Sequence, residues 1–125
     1  MTNILLVGAG GFLGAVARYG AACLAGLLWK HPFPLGTLLV NLVGCFLIGL
    51  LLPGERSLAG EQGRLFLVVG VLGGFTTFSA FGWETLHLWR TGSPGLAAAY
   101  VLGSVLLGLA ATALGHLAGE LVGRS

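Results

Sequence analysis

Apolar residues run along this chain in four long stretches, separated by three short segments rich in charge, glycine and proline. The apolar stretches run from about Ile4 to Trp29, Leu35 to Leu52, Leu65 to Trp89 and Gly95 to Val122. Lys30-His31-Pro32-Phe33-Pro34 separates the first two, and two prolines beside a polar pair end one helix and set up the next. Pro53-Gly54-Glu55-Arg56-Ser57 opens the longest and most charged connection, which continues to Arg64. Arg90-Thr91-Gly92-Ser93-Pro94 makes the last turn. A helix crossing a bilayer needs about 20 apolar residues, which each stretch approaches or exceeds. The pattern predicts an all-α membrane protein of four transmembrane helices in one domain, residues 1–125.

The third stretch departs from the pattern in its middle. It contains Gly73-Gly74-Phe75-Thr76-Thr77-Phe78-Ser79-Ala80-Phe81. Adjacent glycines are poor helix residues, and hydroxyls follow at Thr76, Thr77 and Ser79. The expectation is a helix that ends at Gly73-Gly74 and restarts, broken mid-membrane. Backbone that is not helical at membrane depth must be buried in protein or line a cavity. Broken helices of this kind hold the ion sites of transporters. Phe78 and Phe81 are three residues apart, so they share a helix face just beyond the break.

Composition narrows the class. Of 125 residues, 56% are hydrophobic and 8% are charged. Soluble domains carry about 25% charged residues, so the chain belongs in a membrane, and four spans leave no room for a soluble domain. A net charge of +2 is too small to suggest nucleic-acid binding. Cys23 and Cys45 lack metal-ligand spacing and read as small buried side chains. Nothing basic precedes Ile4, so no cleaved signal peptide is expected.

Small residues recur at helical spacing: Gly11 with Ala15, Ala22 with Gly26, and Ala111, Gly115, Gly119 and Gly123. Such ladders let membrane helices pack with their backbones close, within or between subunits. Basic residues in the connections are nearly balanced: Lys30 and Arg90 on one side, and Arg56, Arg64 and Arg124 on the other. Orientation normally follows a clear Lys/Arg excess, so this balance fits either insertion in both orientations or a weak but sufficient bias toward one. Gly8, Gly11 and Gly14 imitate a dinucleotide-binding loop. That motif needs an acidic residue roughly 20 positions later, and nothing acidic precedes Glu55.

A few polar residues interrupt the apolar stretches. Thr37 and Asn41, at i and i+4, share a face with Gly44. Asn41 reads either as glue between helices or as a pore donor beside the hydroxyls of the third stretch. Phe78 and Phe81 read as packing or, given their place after Thr76-Thr77, as ring edges turned to an anion, since an aromatic ring has a positive edge. Arg18 lies well inside the first stretch, where a charge either faces an aqueous vestibule or snorkels to the interface. Glu84 lies towards the far end of the third stretch, at a vestibule or interface. His31 and His87 sit near wet ends, and His116 lies on the glycine ladder, where packing or hydrogen bonding is expected.

Taken together, these residues resemble the bacterial fluoride channels called Fluc or CrcB, over the whole chain. The resemblance rests on three motifs in order: Gly10-Gly11-Phe12-Leu13-Gly14-Ala15 with Arg18-Tyr19; Gly36-Thr37-Leu38-Leu39-Val40-Asn41 with Gly44 and Phe46; and Gly73 to Phe81. It implies a channel that lets fluoride leak passively out across the bacterial plasma membrane, reducing fluoride toxicity. It implies an antiparallel, dual-topology homodimer with two pores. It also implies pore roles for Asn41, Phe78, Phe81, Ser79, Thr37 and Tyr100, and vestibule roles for Arg18 and Glu84. Finally, it implies a structural sodium ion at the dimer interface, held by the backbone oxygens of Gly73 and Thr76. Ala80 departs from the family pattern, where threonine is the commoner residue.

Competing classes fit less well. A small proton-coupled multidrug antiporter needs a carboxylate inside the membrane, typically in the first span, and that span has Arg18 and no acid. An assembly subunit would use the ladders but leave the Thr-Thr-Phe-Ser-x-Phe segment without a purpose. No nucleophile, base and orienting group come together, so an enzyme is not expected.

Overall fold

The computed structural model of the chain describes residues 1–52 and 60–123. The opening of the second connection, Pro53 to Ser57, lies outside the described residues, as do Arg56 and Arg124 of the charge balance. The regular structure of the described residues is all helical, without a strand. Helix α1 is Thr2–Leu28 and α2 is Leu35–Leu51. Helix α3 joins Gly60–Gly63, a π-helical stretch at Arg64–Leu72, and Gly73–Phe75. Helix α4 is Phe78–Arg90 and α5 is Pro94–Gly123. Three helical segments are long and apolar enough to cross a membrane: α1, Gly60–Arg90 and α5. The shorter α2 has 17 residues, about 26 Å at 1.5 Å per residue. The glycine-rich start, which imitated a strand and phosphate loop, lies within α1.

The helices pack in two pairs, α1 against α3 and α2 against α5, with α4 against α5. Both pairings rest on missing side chains. A Cβ on Gly10 would meet the Phe66 carbonyl, and one on Gly14 would meet the Val71 carbonyl. A Cβ on Gly115 would meet the Phe46 carbonyl, and one on Gly49 the Thr112 carbonyl. Without those atoms the backbones come close enough for dispersion to hold helices that lipid has no reason to drive together. The α1 register differs from the expected ladder. Gly10 and Gly14 are the buried pair, Gly11 and Ala15 flank them with their backbone against Gly74, and Gly26 meets nothing within 4 Å. A four-residue spacing alone does not say which of two adjacent ladders faces a neighbour.

The buried core is small. Leu38, Leu88, Ala97 and Tyr100 pack together at the end of the subunit near the first and third turns, with Phe33 and Phe81 against them. The Arg90–Pro94 turn needs a left-handed residue, supplied by Gly92 at φ +84°. Elsewhere large apolar side chains face outward, Phe12, Leu106, Leu109 and Leu121 among them. A monomer in water does not carry apolar exposure on this scale; lipid or a second subunit must cover it.

Candidate functional site

Helix α3 does not end where the glycines stand. Gly73 is helical, at φ −62° and ψ −36°, and the helix runs on through Phe75. The interruption is Thr76 and Thr77, both extended, at φ/ψ of −80°/156° and −150°/118°. The reason is local hydrogen bonding. Thr76 Oγ1 donates to the Leu72 carbonyl at 2.9 Å, and Thr77 Oγ1 accepts from the Ala80 amide at 3.2 Å as the N-cap of α4. Threonine hydroxyls offer the backbone such alternatives to the helical ladder. The glycines serve packing instead: a Cβ on Gly74 would meet the Gly11 carbonyl.

Asn41, from α2, closes on this interruption. Its Oδ1 accepts from the Thr77 amide at 2.8 Å, and its Nδ2 donates to the Thr77 carbonyl at 3.1 Å. One side chain therefore satisfies both backbone groups of an extended residue, which would otherwise be costly in an apolar setting. One Nδ2 hydrogen is left over. Bridging and pore donation, the two readings of Asn41, are thus compatible in one residue. Gly44 lies one turn further along α2, and a Cβ there would meet the Thr76 side chain.

A groove of about 400 Å³ opens beside the interruption, lined by Asn41, Cys45, Thr76, Phe78, Phe81 and Ser104 among others. Its walls are largely apolar with a few polar groups, the usual make-up of a ligand site. Phe78 is 83% exposed. Phe78 and Phe81 have ring centroids 5.4 Å apart, and Phe81 and Tyr100 are 5.3 Å apart, so the rings form a continuous row. Ser79 is exposed and lies 3.2 Å from the Thr77 hydroxyl.

Past Phe81 the row reaches a carboxylate. Phe78, Phe81 and Glu84 recur every three residues along α4 and follow one face. Glu84 accepts from the Thr37 hydroxyl on one oxygen and from the Tyr100 hydroxyl on the other, each at 2.7 Å. Tyr100 is wholly buried. Glu84 therefore joins the expected pore hydroxyls and shares no partner with Arg18. Arg18 reaches from α1 to α3, where its Nε donates to the Gly74 carbonyl at 3.0 Å.

The carbonyls at the end of α3 divide into two sets. Leu72 O accepts from the Thr76 amide and hydroxyl, Gly74 O from Arg18, and Thr77 O from Asn41. The Gly73, Phe75 and Thr76 oxygens receive no hydrogen bond from the described residues. No cluster of three or more His, Cys, Asp or Glu that could hold a metal occurs among the described residues.

A family model described as CrcB-like protein, Camphor Resistance (CrcB), matches residues 5–116. The chain belongs to the CrcB-like family. Its relatives are similar along nearly their whole length. A protein of Paracoccus denitrificans named fluoride-specific ion channel FluC is 51% identical over 122 residues, covering 98% of this chain and 94% of the relative. Proteins of that name from two strains of Thermus thermophilus are 51% identical over 126 residues and 53% identical over 122. The first alignment covers 98% of this chain and 100% of the relative; the second covers 95% of each.

Ser104 was missed by the sequence reading. Its Oγ is buried without a hydrogen-bond partner among the described residues, and the residue lines the groove. The available signal was its spacing, one helical turn after Tyr100. Histidines fall outside the site. His31 Nδ1 accepts from the Phe33 amide, and His116 lies 3.5 Å from Glu120 on an exposed face.

Proposed function

We propose that this chain is a fluoride-selective ion channel, a multi-pass protein of the bacterial plasma membrane that lets fluoride run out passively. The observation that carries the reading is near full-length identity, about half of all positions, to proteins named as fluoride-specific channels. The chemistry of the groove supports it. Fluoride is small and strongly hydrated, and donors must replace the water it leaves. A strong cationic site would hold it too firmly, because a conducted ion must also depart. The groove offers weaker partners: the spare Asn41 hydrogen, the Ser104 hydroxyl and the edges of Phe78 and Phe81. Ser79 adds a hydroxyl at the mouth, and Thr37 and Tyr100 continue the track beyond the rings. Glu84, fixed by those two hydroxyls, and the guanidinium of Arg18 set the field at the approaches. The antiporter alternative finds no acidic residue in α1.

The working unit is an antiparallel homodimer in which all four apolar segments cross and the interruption lies at mid-membrane. The open groove and the exposed Phe78 support a second subunit, as does the near-even balance of basic residues. Two inverted copies would bring two interruptions together. The open Gly73 and Thr76 oxygens suit a hard monovalent cation, with sodium favoured by the resemblance. Bound there, it would neutralise the facing carbonyl dipoles without travelling with fluoride.

The deciding experiment is efflux from liposomes loaded with either halide. Fluoride is expected to leave and chloride to stay; equal rates refute selectivity, and no efflux of either refutes the channel. Single cysteines placed in the first turn, with Cys23 and Cys45 replaced, are expected to label from both sides of the membrane. One-sided labelling would rule out dual topology.

A further inference from the structure

We infer that Arg18 is a positioning residue for the interruption, closing the carbonyl end of α3 so that the Gly74 oxygen is withheld from the cation site. The inference rests on the cation reading above only in its second half. Arg18 stands one helical turn beyond Gly14, on the face of α1 that lies closest to α3. Gly14 meets the Val71 carbonyl and Gly74 meets the Gly11 carbonyl, and this close approach delivers the Arg18 side chain to the last turn of α3. The bond from Nε to Gly74 O spans 56 residues of sequence and is partly buried.

Arginine suits the task better than lysine. Its Nε hydrogen has a fixed direction in a planar group, whereas an ammonium is a rotating point charge. A positive charge also belongs at a helix C-terminus, where unpaired carbonyls gather negative potential. The terminal nitrogens of Arg18 bond to none of the described residues, so only the Nε bond fixes the group. Arg18 therefore does two things at the end of α3. It occupies one of the carbonyls that the broken ladder leaves open, and it places a permanent positive charge beside the others. The charge opposes tight cation binding, and the bond removes an oxygen that a cation would otherwise use.

The test compares native protein, Arg18→Lys and Arg18→Gln in lipid nanodiscs. Amide exchange is followed at residues 73–78, and thermal stability is titrated with sodium against a large organic cation. Arg18→Gln loses both charge and directed donor. Its amide exchange in sodium-free buffer is expected to rise at least about ten-fold, and its sodium half-point to fall about ten-fold. Arg18→Lys keeps the charge, so its half-point is expected near native while exchange rises less. Unchanged exchange in both variants overturns the positioning role. Faster exchange in Arg18→Gln with an unchanged or higher half-point overturns the withholding of Gly74. If native protein shows no sodium dependence, the cation reading fails on its own, and exchange still decides for or against Arg18. Should Arg18→Gln not assemble, faster exchange in assembled Arg18→Lys supports the role, and native-like exchange there contradicts it.

Discussion

The two sides of the Thr76–Thr77 interruption are built from the same chain a few residues apart, yet they present opposite chemistry. Before it, α3 ends in carbonyls: the Gly73 and Thr76 oxygens receive no bond from the described residues, and Gly74 is covered by an arginine. After it, α4 begins with amides: the Ala80 amide donates to the Thr77 hydroxyl, and Phe78 and Phe81 line the groove. A broken helix exposes both ends of its dipole at once, so one break can serve a cation on one side and an anion on the other. On the proposed reading, neither ion needs a formally charged side chain as a ligand.

Breaking this arrangement at its hinge has the largest expected effect. Asn41→Ala strands the Thr77 amide and carbonyl, each costing about 1–3 kcal/mol when left unpaired. Fluoride efflux is expected to fall by more than about a hundred-fold, with a clear drop in melting temperature; native-like efflux and stability would mean that Asn41 holds nothing. On the anion side, Phe81→Ile or Phe78→Ile keeps bulk but removes the electropositive ring edge. Efflux is expected to fall about three- to ten-fold with the dimer intact by size-exclusion chromatography. Unchanged efflux in both variants would reduce the rings to packing. The smallest effect belongs to the cap. Thr77→Val is expected to lose about 1 kcal/mol of stability. It should leave chloride excluded, and a chloride leak would show that the hydroxyl sets selectivity.

Much of this was legible in the residues. Four apolar stretches matched the helical segments within a few positions, because span length and turn chemistry are local properties. Thr37, Asn41, Phe78 and Phe81 could be singled out because polar or paired aromatic residues stand out in apolar helices. Other features depended on tertiary contact. The double glycine looked like a helix breaker, but Gly74 turned out to be where α1 crosses α3. The interruption falls at the threonines, whose hydroxyls bond locally, and Asn41, 36 residues away, pairs the Thr77 amide and carbonyl that the break leaves open. Glu84 could not be joined to Thr37 and Tyr100 from spacing, since three separate helices supply them. The nine-residue π-helical stretch at Arg64–Leu72 had no signal in the hydrophobic pattern.

The central claim is that one break holds a resident cation and passes an anion. Liposomes loaded with sodium fluoride, sodium chloride and a trace of radioactive sodium test it directly, once a potassium gradient with ionophore clamps the voltage. The account predicts that fluoride leaves quickly while chloride and radioactive sodium stay inside. Sodium leaving in step with fluoride, or chloride leaving at a comparable rate, would contradict it.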